Sequence, residues 1–234
     1  MASALPPAWS LVIPVKVLAH AKSRLTGLAG QQRAELALAM AADTAAAALA
    51  ALPVAAVIVV TDDEIVRAEL GGLGAIVIRD QPAAGLNAAL EFGAAYSDTR
   101  WPGRGRAGLA GDLPALRPDE LAAVLAEAGS QAASFVPDAA GTGTTLYAAR
   151  PGAAFRPAFG LRSRDQHLAA GAVELGLPGL AGLRQDVDTP ADLELAASIG
   201  LGPRTAAVLS DGSGHGSPGT RTRQKQQKPG SPGN

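Results

Sequence analysis

The chain has 234 residues, enough for one α/β domain with a sizeable core. Its net charge of −1 is too balanced for a dedicated nucleic-acid or membrane binder. It has no cysteine, which excludes disulfides, thiolate zinc sites and cysteine nucleophiles together.

Hydrophobic residues make up 47% but aromatics only 3%, so Ala, Leu and Val must fill the core. The three histidines, His20, His167 and His215, are too scattered for a His-rich metal site. Any metal should be a hard cation held by oxygen. No apolar run approaches the roughly 20 residues that span a bilayer. Met1 to Trp9 lacks the features of a signal peptide, so the cytoplasm is the expected compartment.

In chain order, residues 1–9 read as a flexible N-terminus. Ser10 to Val15 is a short apolar run that ends at Lys16. Gln31 to Leu52 is a long Ala/Leu helix, and Val54 to Val60 a β-branched strand closed by Thr61-Asp62-Asp63. Ile65 to Leu70 predicts a short helix, Ala75 to Ile78 a strand, and Leu86 to about Tyr96 a helix. Arg106 to Ala110 leads as a strand into Gly111-Asp112-Leu113-Pro114. Pro118 to Ala128 predicts a helix, with strands near Ala132 to Val136 and Thr144 to Ala149. Ser163 to Leu175 reads as helix, Gly182 to Val187 as strand and Ala191 to Ile199 as the closing helix. The folded domain is therefore assigned to residues 10–204. Residues 205–234 are read as a disordered tail, most clearly after Ser210, where no large apolar side chain remains.

Buried strands alternating with helices predict a three-layer α/β sandwich around a mostly parallel sheet. Such sheets bind ligands outside the carboxyl ends of their strands. The polar residues there are Lys16, Asp62, Asp80, Asp112, and Asp186 with Asp188.

The first βα connection has no glycine before Gly27, so neither GxGxxG nor Walker A is present. Lys16, Lys22 and Arg24 could replace a backbone cradle around a triphosphate, Arg by paired hydrogen bonds and Lys as a point charge. Asp186 and Asp188 flank Val187, and alternate side chains on a strand share a face. Three carboxylates opposite a basic loop match Mg²⁺ held between protein and substrate phosphates. Thr189 has the pattern of an N-cap, with Pro190 and Asp192 behind it.

Gly141-Thr142-Gly143-Thr144-Thr145 could form an anion nest. Gly160 would let a ligand approach the backbone, and Ser163 could cap a helix whose N-terminus faces an anion. Asn87, after Gly85, could read a base or ribose, or serve as a near-cap. His167 is more often structural at such a position than a substrate contact.

Seven motifs in order then resemble one family. They are Val12-Ile13-Pro14-Val15-Lys16 with Ala21-Lys22-Ser23-Arg24-Leu25, Thr61-Asp62-Asp63, Gly85-Leu86-Asn87, Gly111-Asp112-Leu113-Pro114, Gly141 to Thr145, Phe159-Gly160-Leu161-Arg162-Ser163 and Asp186-Val187-Asp188-Thr189-Pro190. The family is the phosphoenolpyruvate and 2-phospho-L-lactate guanylyltransferases of deazaflavin coenzyme F-420 biosynthesis. The resemblance runs from Leu11 to Ile199. It implies a glycosyltransferase-A-like nucleotidyltransferase fold, GTP as donor, Mg²⁺ as cofactor and phosphoenolpyruvate as acceptor. By matching position it implies Thr145, Gly160 and Ser163 for the phosphorylated acid and Asp112, Asp186 and Asp188 for metal. Lys16, Lys22 and Arg24 would serve the triphosphate and catalysis, and Asp62, Gly85 and Asn87 the rest of the nucleotide. The alternatives are 2-phospho-L-lactate or 3-phosphoglycerate as acceptor, or a non-catalytic nucleotide-binding module. A homodimer is a guess that nothing in the sequence argues for.

Overall fold

The computed structural model describes residues 8–20, 22, 24–26, 29–81 and 83–212. The strands are β1 (Trp9–Pro14), β2 (Val54–Val60), β3 (Ile76–Ile78), β4 (Gly105–Leu109), β5 (Ala133–Val136), β6 (Leu146–Ala149) and β7 (Val173–Glu174). They form one sheet in the order β3-β2-β1-β4-β6-β5-β7. Only β6 runs against the others, pairing antiparallel with β4 and with β5. The helices are α1 (Gly30–Ala50), α2 (Glu64–Gly72), α3 (Leu86–Arg100), α4 (Pro118–Ala128), α5 (Ser163–Ala169), α6 (Ala181–Arg184), α7 (Pro190–Ile199) and α8 (Pro203–Gly212).

Period-2 alternation gives the interior strands β1 and β2 two apolar faces. Leu11, Ile13, Val57 and Val59 join the main core with α1, α2 and α4. Val12, Ile58 and Val60 face α3 through Ala89, Leu90 and Ala94. The result is the expected three-layer α/β sandwich. After β1 the chain builds outward through β2 and β3, then returns to place β4 on the other side of β1. The carboxyl ends of β1 and β4 thus flank a topological switch point, where open α/β sheets bind ligands.

Four boundaries differ from the sequence reading. Trp9 is fully buried at the start of β1, so the domain begins before residue 10. The helix predicted over Ser163 to Leu175 stops at Ala169, Gly171 turns with φ +81°, and β7 follows. Gly182 to Val187 is not a strand: α6 ends at Arg184 and the remainder is an extended loop. Residues 203–212 form α8, so 205–212, expected to start the tail, are helical, and Thr205 is fully buried. The rest of the predicted tail lies outside the described residues. Among the described residues no helix is long and apolar enough to cross a membrane.

Candidate active site

After β1 the backbone stays on the sheet for one more residue, as the Val15 N–H donates to the Val60 carbonyl (3.0 Å). Lys16 then stands exposed beside Asp80, Gly85 and Leu86 in a shallow cleft over the ends of β1 to β3. A single 3-10 turn, Leu18–His20, follows. Leu18 is buried in the main core and Leu25 in a second cluster, so both ends of the basic loop are anchored by apolar side chains. Ala21 and Ser23 lie outside the described residues.

Lys22 is turned inward. Its Nζ donates to Asp112 Oδ2 and, at 3.1 Å, to Asp188 Oδ1. Arg24 approaches the other Asp188 oxygen at 3.7 Å. The predicted juxtaposition of basic loop and strand-end carboxylates is therefore present, but Lys22 is spent on the aspartates and not held out toward solvent. Burial opposes a charge on Lys22, and the facing Asp112 and Asp188 outweigh it, leaving its pKa raised.

Asp112 follows β4, and its carbonyl accepts from the Val187 N–H (3.1 Å). Val187 is fully buried with Leu25 and Ala115, so its flanking residues emerge toward Asp112 although the segment is not a strand. Beyond them Thr189 caps α7 as predicted, with Asp192 accepting from the Thr189 and Asp188 amides. Asp186 is pushed up to about 7, first by burial and then by the charges of Asp112, Asp138 and Asp188. Carboxylates crowd this end of the sheet. Among the described residues, however, no three acidic or His side chains are yet close enough together to hold a metal.

The acceptor side departs further from expectation. The Gly141 to Thr145 segment does form a nest, but Asp138 fills it, accepting from Thr142 N (2.9 Å) and Gly143 N (2.8 Å). Ser163 does not cap α5. The cap residue is Arg162 in the left-handed region (φ 55°), and Ser163 is fully buried with its hydroxyl donating to Thr144 Oγ1 (3.0 Å). His167 Nε2 accepts from Ala158 N (2.9 Å), so its proton sits on Nδ1 and is donated to the same Thr144 oxygen (3.0 Å). His167 stacks on Tyr147, and burial lowers its pKa to about 4. It is a structural histidine. Thr145 is buried beside Ala110, and among the described residues its hydroxyl has no protein partner. Gly160 (φ +128°) leaves open space where a side chain would stand.

Asn87 neither caps nor stands free. Its Nδ2 donates to Phe159 O (3.0 Å) and its Oδ1 accepts from Phe159 N (2.8 Å). Its amide instead ties the Phe159–Ser163 loop to α3. Gly85 opens α3 at φ +97°, a conformation glycine adopts without strain. Asp62 is exposed after β2, while its neighbour Asp63 makes the bonds that hold that corner.

A family model described as "Guanylyl transferase CofC like" matches residues 9–180. The chain belongs to that family. It is 57% identical over 202 residues to a phosphoenolpyruvate guanylyltransferase of Thermomonospora curvata, covering 86% of this chain and 89% of that one. It is 56% identical to a protein of the same name from Streptomyces avermitilis, covering 86% and 94%. The fold resembles a protein of Desulfovibrio desulfuricans G20 assigned as a nucleotide-diphospho-sugar transferase. That likeness has a TM-score of 0.64 at 17% identity over 88% of this chain and 95% of the other. The family model stops short of Asp186 and Asp188, which come from the loop before α7.

Proposed function

We propose that the chain transfers GMP from GTP to phosphoenolpyruvate and releases pyrophosphate, with Mg²⁺ as cofactor. The acceptor is read from the two relatives above, which both carry phosphoenolpyruvate in their names. The resemblance connects this product with coenzyme F-420 biosynthesis. The observation that carries the reading is the Lys22 ammonium bonded to both Asp112 and Asp188 at the switch point. A site that keeps a cation between two carboxylates, with a third whose pKa is raised by burial and then by its neighbours' charges, suits a divalent ion. Asp112, Asp186 and Asp188 would hold it, and all their donors are the hard oxygens Mg²⁺ prefers. When bound, the ion supplies charge neutralisation for the phosphates of donor and acceptor.

The chain's own residues do the rest. Lys16 and Arg24, both exposed, lie on the loop that would line the triphosphate and balance charge building on pyrophosphate. The cleft of Lys16, Asp80, Gly85 and Leu86 suits the nucleoside end. Gly160 and Thr145 would border the acid, whose backbone walls are set by Asp138, Ser163 and Asn87. An acceptor phosphate oxygen forms a bond to the α-phosphorus of GTP as the bond from that phosphorus to the bridging oxygen breaks. The electron pair leaves with pyrophosphate. A phosphate monoester has a second pKa of about 6, so the attacking oxygen needs no strong general base. The neutral, buried His167 is accordingly not required for proton transfer.

Purified protein incubated with GTP, Mg²⁺ and each of phosphoenolpyruvate, 2-phospho-L-lactate and 3-phosphoglycerate tests this. Pyrophosphate release and a guanylylated product should appear fastest with phosphoenolpyruvate. Faster turnover of another acid would overturn the acceptor assignment, and no pyrophosphate with any acid would overturn the reaction.

A further inference from the structure

The basic loop is fixed by a residue outside it. Asp63 begins the turn into α2, and its two carboxylate oxygens serve different elements. Oδ1 accepts from Ile65 N (2.9 Å) and Val66 N (3.2 Å), which is an ordinary N-cap. Oδ2 accepts from Leu18 N (2.9 Å), 45 residues away, in the 3-10 turn between Lys16 and Lys22. The Asp63 N–H in turn donates to Thr61 Oγ1 (3.2 Å), and Thr61 is itself buried. We infer that Asp63 is a positioning residue for nucleotide binding, holding the root of the loop that presents Lys16, Lys22 and Arg24. This rests on the proposed GTP reading.

Three things make the tie more than a helix cap. A cap needs one oxygen, and the second is used only by Leu18. Leu18 buries its side chain in the main core, so the Asp63 bond adds orientation to a residue already held by packing. Lys16 is two residues before that bond and Lys22 four after it, so rotation at Leu18 would move both cations. The ionised carboxylate suits the role. Burial would raise the Asp63 pKa, but the Leu18, Val66 and Ile65 amides outweigh it and hold it below the usual carboxylate value.

The test separates cap from tie. Asp63→Ser keeps a good capping hydroxyl but has no second oxygen for Leu18, and Asp63→Asn keeps the shape while replacing one acceptor oxygen by an NH₂ donor. Hydrogen exchange should show the Leu18 amide exchanging faster in both variants while Tm stays close to wild type. Titration calorimetry with GTP and Mg²⁺, without acceptor, should show Kd raised roughly tenfold, the range for a lost bond to a charged group. KM for phosphoenolpyruvate should stay unchanged. Asp63→Ala should match the Kd change and lower Tm as well. A GTP Kd within twofold of wild type in both Ser and Asn variants, with the Leu18 amide deprotected, would overturn the inference. So would a Leu18 amide that stays protected. Failure of the wild-type protein to bind GTP would instead remove the functional reading on which the inference stands.

Discussion

Lys22 stands with its ammonium bonded to Asp112 and Asp188, so a divalent ion entering the same carboxylates must displace or repel it. Two like unit charges a few ångströms apart cost on the order of a few kcal/mol at the effective dielectric of a protein surface. Lys22→Met should therefore bind Mn²⁺ roughly tenfold more tightly than wild type in the absence of nucleotide, followed by calorimetry. Its kcat should nevertheless fall, because the ammonium that ties Asp112 to Asp188 is gone. Mn²⁺ affinity unchanged or weaker in the variant would mean that Lys22 does not compete for those carboxylates. The buried His167 is a second residue whose charge state matters. Its folded pKa of about 4 lies below the ordinary 6.5 because burial disfavours the imidazolium. Between these values the unfolded chain binds a proton that the native one does not. Stability is thus full above pH 6.5 and is lost as pH falls, by roughly 3 kcal/mol once pH reaches 4. Urea unfolding at pH 7 and pH 5 should show the drop in wild type, and it should be smaller in His167→Gln. Equal drops in the two proteins would show that other groups carry the acid sensitivity.

At the scale of elements, α8 is docked by a carboxylate from another helix. Asp43 on α1 accepts from Arg204 N (3.2 Å) and Thr205 N (2.8 Å), the first amides of α8. Gly202 lies against it so closely that an added Cβ would come within 2.3 Å of the Asp43 carboxyl carbon. Gly202→Ala should lower stability by about 1–3 kcal/mol, the usual cost of overpacking. A Tm equal to wild type would mean that the α1–α8 junction yields without loss. The same junction shows why α8 was not legible in the sequence. The carboxylate that accepts from its first amides is 161 and 162 residues away, and the composition after Ser210 turns polar. Strands β1 to β6 and helices α1 to α4 were legible because their apolar runs and helical stretches are bounded by turn residues. The run from Gly182 to Val187 is not the strand expected because only Leu183 and Val187 in it are large and apolar, too few to define a period. In the candidate site, Asp112 and the basic loop were legible from their places after β4 and β1, whereas Asp186 and Asp188 follow no strand and meet them through the buried Val187. Asp63, Asp138 and the double bond of Asn87 to Phe159 were not, since each depends on a backbone partner brought in by the fold.

For the whole molecule, α8 bears on the candidate active site although it contributes none of its charges. Val208 and Leu209 pack on the cluster that contains Leu25, Leu36, Met40 and Val187. Leu25 ends the basic loop, and Val187 sits between Asp186 and Asp188. One apolar cluster therefore sets the position of the cations and of two of the three carboxylates. Removing α8 uncovers that cluster and leaves the Asp43 carboxylate without its two amide partners. Residues 213–234 are different, since their sequence holds no Ala, Val, Leu, Ile, Met or aromatic residue to add to any core. Two truncations separate these contributions. A chain ending at Gly212 should keep the Tm and the guanylyl-transfer rate of the full chain. A chain ending at Leu201 should lose several degrees of Tm at least, and its kcat should fall further than its remaining folded fraction explains. Thermal unfolding followed by circular dichroism, with pyrophosphate release measured well below each Tm, reads both effects. Full activity in the shorter chain would show that the loops holding Lys22 and Asp188 keep their places without α8 behind them.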